Sequence, residues 1–412
     1  MKSLTKGMTI PPKRFLAVAF LFSSSFVWFY IFYTYLNELV SPGISSDSFW
    51  GNIGLVIFLV SIAIAAFVGS TISERVSRRK MLFSWLVLGV IVTVLVQFFR
   101  GNAFLVVWGI FAGLSFGVGF PSCQAFIADS TTPDERGRVA GYVILVTFIL
   151  LAFSFLAIST LGLDSMGILW LAIVIKSIGF LSFALDSLGG VKKEREAKPW
   201  RRIIGYRDFY LYLIPYVLFM FAAGLVSLLW QGLPSDPAYV EVDRYASYFR
   251  YFLLSIFAVV AGSMADRMGR KTPIILGSIM LGASYALIGL LTSPETYFIT
   301  LLMSACAWGI IIVLYLVVPG DLAFSGSTER FYTLGWLLPF ILYTGVLGTG
   351  KIFNITPKTD VFAAILSIII FASTLPLLYA AETLSESKLR ERRLMEYAEK
   401  AGKLSKKNNE TG

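Results

Sequence analysis

The chain has 412 residues, of which 57% are hydrophobic and 15% charged, and its formal net charge at pH 7 is +10. Soluble globular chains have roughly 45–50% apolar and about 25% charged residues, so this composition disfavours a soluble protein. Two cysteines exclude a disulfide scaffold, and the absence of histidine removes the commonest metal ligand and the usual acid or base near neutral pH. The class that remains is a multi-pass membrane protein.

Twelve segments are long and apolar enough to cross a bilayer, since a spanning helix needs about 20 mostly apolar residues. An even number of spans places both termini on one side, and most of the 35 lysines and arginines lie on that side. The positive-inside rule therefore predicts cytoplasmic termini, and we interpret the net charge as topology rather than nucleic-acid binding. The predicted spans are 15–37, 49–72, 81–99, 103–127, 139–161, 165–187, 209–231, 245–265, 273–292, 296–318, 331–350 and 361–381.

A charged connection separates six spans from the six that follow, which indicates an internal duplication. We predict a first six-helix bundle at 1–188, a cytoplasmic linker at 189–207, a second bundle at 208–381 and a cytoplasmic tail at 382–412. Because each half has an even number of spans, the two copies have the same orientation in the membrane.

Two loops on the basic side carry a family likeness. The eighth span is followed by Gly262-x-x-x-Asp266-Arg267-x-Gly269-Arg270-Lys271, and the fifth is preceded by Pro133-Asp134-Glu135-Arg136-Gly137-Arg138. These runs resemble the loop signatures of the major facilitator superfamily (MFS), and with the twelve spans the likeness covers essentially the whole chain. The resemblance implies an all-α membrane fold of two six-helix bundles. It also implies a secondary transporter in the plasma membrane that moves a small organic solute by alternating access.

The resemblance further implies an ion-pair network that holds the inner side shut. In the family, the acidic residue after the second span sits near the start of the eleventh, and nearby arginines pair with carboxylates at the end of the fourth. In this chain Glu74 stands where the family usually has aspartate. The gating candidates carried over are Glu74, Arg75, Arg78, Asp129, Arg136, Asp266, Arg267, Gly269, Arg270, Asp321 and Arg330.

On the outer side we predict a gating contact between Glu38, at the end of the first span, and Arg250, in the eighth. The alternative that both side chains extend to the outer headgroups is equally open. No acidic residue lies near the middle of any span, so coupling to protons through Glu38 and facilitated diffusion are both open.

The substrate-binding candidates are Arg250 and the aromatic residues near mid-depth, Trp28, Trp308 and Tyr343, because pockets are mostly aromatic and apolar. Lys176 lies near the middle of the sixth span, which is peripheral in this family, so burial against a neighbour and contact with substrate are both open. A sugar, an organic anion and a hydrophobic compound all remain possible substrates.

The alternative function is a drug or multidrug efflux transporter of the same superfamily. It loses support because Gly109 stands where such antiporters carry arginine, and the fifth span has no proline. A membrane-embedded lipid-modifying enzyme is less favoured, because the chain has no histidine and no paired carboxylates inside its spans. We therefore expect no enzymatic activity, no cofactor and no metal site. We expect a monomer whose partners are its substrate, membrane lipid and, through Glu38, protons.

Overall fold

The structure is a computed structural model that describes residues 8–42, 49–186, 198–231, 237–288, 293–352 and 359–384. Within these ranges the chain forms twelve helices that are long and apolar enough to cross a membrane. The first six are α1 (Pro12–Val40), α2 (Phe49–Ile72), α3 (Arg78–Val96), α4 (Phe104–Asp129), α5 (Arg136–Leu161) and α6 (Ser165–Leu185). The last six are α7 (Arg207–Gln231), α8 (Pro237–Met268), α9 (Lys271–Ile288), α10 (Pro294–Leu322), α11 (Thr328–Gly350) and α12 (Val361–Tyr379).

The structure confirms the predicted all-α class and the twelve spans, but not every boundary. The α8 helix begins at Pro237 rather than at 245, and α10 ends at Leu322 rather than at 318. Hydropathy marks where a segment leaves the hydrocarbon, whereas backbone hydrogen bonding continues beyond that point. Residues 189–197 of the predicted linker and all but the start of the predicted tail (385–412) lie outside the described residues.

The α4 and α11 helices are both irregular, and their irregular segments touch. The α4 helix consists of Phe104–Gly117 and Phe120–Asp129, because Pro121 has no N–H with which to continue the backbone bonding. The α11 helix contains a π-helical turn at Thr333–Leu337, a feature that is frequent at functional sites. The Phe120 and Trp336 rings from these two segments lie 5.4 Å apart between centroids.

The two halves meet mainly through α5 packed against α8 and α2 packed against α11. We call the side where α1 begins and α12 ends the basic side, and the opposite side the far side. Within the first half, α2 and α4 pack with their backbones in contact. A Cβ atom added at Gly113 would lie 2.3 Å from the carbonyl oxygen of Phe58, and one at Gly117 would lie 2.4 Å from that of Ile62. Small residues permit this approach between membrane helices.

We expect Gly113→Ala to lower the free energy of unfolding by about 1–3 kcal/mol, because its methyl group must push α2 away from α4. Thermal unfolding of the purified variant measures the effect. Gly54→Ala is the matched control at the same helix pair, since its Cβ would lie 3.4 Å from Leu105 at an ordinary contact distance. Equal melting temperatures for the two variants would contradict the backbone-contact interpretation.

Candidate functional site

Ion pairs join the two halves on the basic side. Glu74, which follows α2, accepts hydrogen bonds of 2.6 and 2.9 Å from Arg330 at the start of α11. Arg78, at the start of α3, pairs with Asp129 at the end of α4 and, over 2.8 Å, with Glu329 in the second half. The carboxylates and guanidinium groups of both halves therefore alternate across the α2–α11 contact.

Asp321 is the buried centre of a second group of ion pairs. Its carboxylate accepts hydrogen bonds from Arg136 at the start of α5 and from Arg270, over 2.8 Å. The side chain of Asp321 is 1% exposed and that of Arg270 is fully buried. Burial lowers the pKa of the Arg270 guanidinium, but Asp321 and Asp266 raise this pKa by more, so the net pKa shift is upward and the charge is retained.

Asp266, near the end of α8, caps a helix of the other half. Its carboxylate accepts the backbone N–H groups of Gly137 and Arg138, both over 2.9 Å. These groups lie in the first turn of α5, where N–H groups have no partner within the helix. The close approach requires glycine, because a Cβ at Gly262 would lie 2.2 Å from the Gly137 carbonyl oxygen.

The remaining gating candidates have different surroundings. Arg75 and Arg267 are exposed and form no ion pair within the part of the chain that the structure describes. Gly269 has a φ of 91°, which a side chain would disfavour, and the Glu382 carboxylate lies against it. That carboxylate accepts the backbone N–H of Arg270 over 2.8 Å, so Gly269 serves the loop turn.

The segment between the halves also binds to this network. Arg330 donates to the Lys198 carbonyl oxygen over 2.6 Å, and the Lys198 N–H donates to the Ser327 hydroxyl over 2.8 Å. The Arg330 guanidinium lies 5.0 Å from the centre of the Trp200 ring. We call the ion pairs of Glu74, Arg78, Asp129, Arg136, Asp266, Arg270, Asp321, Glu329 and Arg330 the basic-side network.

An aromatic cluster lies between the halves, on the far side of the basic-side network. Phe26 of α1 and Phe120 of α4 face Trp336 and Phe340 of α11, with centroid distances of 6.2 Å for Phe26–Trp336 and 6.1 Å for Phe26–Phe340. All four rings are buried. We call this cluster the aromatic floor.

A central cavity of about 200 Å³ lies between the halves on the far side of the aromatic floor. Its walls are mainly aromatic and apolar, with polar groups from tyrosine, serine and threonine, and among the described residues Arg250 is the one charged side chain that lines it. The lining residues are Phe26, Tyr30, Tyr33, Phe148, Ala223, Val226, Ser227, Arg250, Tyr251, Leu254, Tyr285, Tyr297, Leu301, Ser304, Ala305, Trp308, Ile312, Phe340, Tyr343 and Thr344.

Arg250 is a cation without a carboxylate partner among the described residues. Its guanidinium lies 5.1 Å from the centre of the Tyr251 ring and donates to the Tyr251 hydroxyl over 3.5 Å. Two other cavity residues, Trp308 and Tyr343, form an edge-to-face pair with a centroid distance of 5.4 Å, and the Tyr343 hydroxyl lies 3.3 Å from that of Ser227. The cavity therefore offers one positive group, several hydroxyls and aromatic faces.

A family model described as Major Facilitator Superfamily matches residues 14–342. The chain belongs to the major facilitator superfamily. The structure is similar to a crystal structure of the human organic anion transporter MFSD10 (TETRAN), with a TM-score of 0.69 and 14% sequence identity, over 89% of this chain and 100% of that chain. At this identity the similarity shows a shared fold. No protein of curated function matches the chain by sequence.

Trp28 does not line the cavity of this MFS protein, which corrects the expectation that it contacts substrate. It is fully buried, and its indole N–H donates to the Thr93 hydroxyl of α3 over 2.8 Å. On α1 the cavity is lined instead by Phe26, Tyr30 and Tyr33. At about 100° per residue, Trp28 points to the side of the helix opposite Phe26.

Lys176 is buried within the first bundle, away from the cavity. It is 0% exposed, and its ammonium group donates to the Ser25 hydroxyl over 3.1 Å and lies 4.1 Å from the centre of the Trp85 ring. Gly89 provides the space, because a Cβ there would lie 2.5 Å from the Lys176 side chain. No carboxylate pairs with Lys176 in the described ranges. Its ammonium group contacts aromatic faces and one hydroxyl instead.

We expect Lys176→Met to raise the free energy of unfolding by about 1–4 kcal/mol, because a matching apolar side chain removes a buried group that lacks an ionic partner. Solute uptake should remain as in the unmodified protein, since Lys176 lies outside the cavity. Thermal unfolding and uptake by reconstituted protein are the measurements, with the exposed Lys80→Met as control. Lost uptake in a stable Lys176→Met protein would instead assign this lysine to transport.

Glu38 is exposed at the far-side end of α1. It forms no ion pair with Arg250 in this structure, within the residues described. The hypothesis of an outer gate concerns a state that is closed on the far side, so that contact stays a prediction.

Several site residues were missed by sequence reasoning. The candidates did not include the cavity residues Phe26, Tyr30 and Tyr251. They also did not include Lys198 and Trp200, which lie in the segment between the halves and contact Arg330. The i, i+4 and i+7 spacing of 26, 30 and 33 marks one face of α1, but nothing in the sequence states that this face meets the other half. Among the described residues, no group of three or more Cys, Asp and Glu side chains could hold a metal.

Proposed function

We propose that this protein is a secondary transporter that carries a small organic anion through the central cavity by alternating access. The observation that supports the anion is Arg250, the one charged group of the cavity lining, which has no carboxylate partner among the described residues.

An unpaired guanidinium in a mainly apolar cavity favours an anionic ligand, because charges attract more strongly where water is scarce. A carboxylate or sulfonate can accept two parallel hydrogen bonds from arginine, and nearby tyrosine hydroxyls such as Tyr30 and Tyr343 can donate more. The aromatic walls suit an apolar part of the solute. The description of the structurally similar MFSD10 as an organic anion transporter supports the same class.

The closed basic side supports alternating access. We propose that the basic side is cytoplasmic, that the protein acts in the plasma membrane as a monomer, and that the basic-side network is its inner gate. In this orientation the structure corresponds to the state that is closed toward the cytoplasm. The division at 1–188 and 208–381 then separates the two bodies that rock about the cavity.

Three aromatic solutes of similar size test the anion: benzoate, benzyl alcohol and benzylamine. We expect benzoate to raise the melting temperature of the purified protein, because a ligand that binds the folded state stabilises it. Proteoliposomes should also exchange labelled benzoate and discriminate against the neutral and cationic solutes. A preference for benzylamine or benzyl alcohol would refute the anion. Repeating the uptake with and without a pH gradient, in the unmodified protein and in Glu38→Gln, separates proton coupling from facilitated diffusion.

A further inference from the structure

A second hollow of about 540 Å³ lies between α5 and α8 in the far-side half of the molecule. Its walls are largely apolar and come from α1, α5 and α8. Phe153 of α5 is 66% exposed and Phe252 of α8 is 60% exposed, so in a membrane protein this hollow faces lipid. We call it the lateral groove.

The lateral groove and the central cavity are neighbours that share Phe148, Arg250 and Tyr251. Between them stands a stack of three rings. The Tyr251 ring packs on Phe148 with a centroid distance of 6.1 Å and on Phe155 with 6.4 Å, nearly parallel to the latter at 5°. Arg250 therefore lies at the boundary between the central cavity and an apolar groove that is open to lipid.

We propose that the lateral groove holds the apolar tail of a single-chain amphiphilic anion whose charged headgroup binds Arg250. This inference rests on the proposed function, because it takes Arg250 to be the anion site. It names the substrate class as anions with one extended alkyl or aryl tail, which enter the site from the far-side leaflet.

The sizes of the two hollows support this division of the ligand. Pockets for drug-sized ligands measure roughly 300–1,000 Å³, and the central cavity, at about 200 Å³, is smaller than that range. The lateral groove, at about 540 Å³, falls within it. An anion too large for the cavity can keep its headgroup at Arg250 by extending into the groove, because the two hollows share this residue.

The chemistry of the groove supports the same occupant. Nine of its twelve lining residues are aromatic or aliphatic, and Arg250 is the one charged group that the described residues contribute to it. A tail in the groove contacts protein on one side and lipid on the other, so it need not enter water. A headgroup at Arg250 supplies the counter-charge that no described carboxylate provides to this cation.

Two alkyl anions of different length test the proposal: butanesulfonate and dodecanesulfonate, whose sulfonates stay ionised. Labelled at concentrations below micelle formation, they are bound to the protein in phosphatidylcholine nanodiscs, and binding to empty nanodiscs is subtracted. Ala152→Trp and Ser159→Trp fill the groove from α5. Thr160→Trp is the matched control, because Thr160 is exposed next to Ser159 but does not line the groove.

We expect Ala152→Trp and Ser159→Trp to weaken dodecanesulfonate binding about tenfold, which corresponds to about 1.4 kcal/mol, and to leave butanesulfonate binding within about twofold. Thr160→Trp should bind both anions as the unmodified protein does. Dodecanesulfonate binding that is unchanged in both groove variants would overturn the proposal and leave the groove to bilayer lipid. An equal loss for both anions would also overturn it.

The outcome for butanesulfonate separates this proposal from the proposed function. If butanesulfonate does not bind, or binds equally well to Arg250→Gln, the anion site itself is wrong. If butanesulfonate requires Arg250 and the groove variants show no effect of chain length, the anion site stands and only the groove proposal fails.

Discussion

Replacing Asp321 with asparagine is expected to destabilise the protein by about 3–5 kcal/mol and to open its basic side. The substitution removes the charge that Arg136 and Arg270 share, and among the described ion pairs it leaves the buried Arg270 with Asp266 alone. Removing one partner of a buried ion pair costs about 3–5 kcal/mol of stability, because the remaining charge stays desolvated.

Thermal unfolding measures the stability of Asp321→Asn, and spin labels at the exposed positions Lys80 and Met268 measure the distance between the halves. Asp129→Asn is the control, because the Asp129 side chain is 24% exposed and its partner Arg78 keeps Glu329. We expect the control to lose about 1 kcal/mol or less. An Asp321→Asn protein with unchanged stability and unchanged label distance would show that these ion pairs do not hold the halves together.

Replacing Arg250 with glutamine is expected to weaken anion binding by roughly 10- to 150-fold, because hydrogen bonds to charged groups contribute about 1.5–3 kcal/mol. The folded state should not be destabilised, since no carboxylate among the described residues loses its partner. Arg250→Lys should bind with intermediate affinity, because lysine keeps the charge but not the planar pair of donors.

Equilibrium binding of labelled benzoate measures the affinity of Arg250→Gln. The matched control is Arg100→Gln, because Arg100 lies between α3 and α4 on the far side and donates to the Ser165 hydroxyl outside the cavity. Benzoate affinity that is equal in Arg250→Gln and Arg100→Gln would exclude Arg250 as the anion site.

The sequence predicted the loops of the basic side better than the interior of the membrane region. Charged residues such as Asp321 and Arg136 stand out in a chain with 15% charged residues, and turn chemistry and topology restrict where they can lie. The family resemblance named both residues as gating candidates but did not predict their pairing, which joins residues 185 positions apart. Capping of α5 by Asp266 could not be read from local sequence, because the acceptor comes from the other half.

Inside the membrane the usual signal for helix orientation is missing. The α1 helix is apolar on every side, so periodicity does not separate the face of Phe26 and Tyr30 from the face of Trp28. Lipid and protein interior are equally apolar, and hydrophobicity cannot rank the two environments. The choice between Trp28 and Phe26 as a cavity residue depended on tertiary packing.

In the proposed alternating-access cycle, capping of α5 by the opposite half makes the passage between open and closed states a hydration step. When α8 moves away, the hydrogen bonds from the Gly137 and Arg138 N–H groups to the Asp266 carboxylate break. Water must then hydrogen-bond to the N–H groups and to the carboxylate. Closure returns those waters to the surrounding phase. Osmolytes that are excluded from protein surfaces, such as sucrose, therefore shift the equilibrium toward the drier conformer even though they bind no site on the protein.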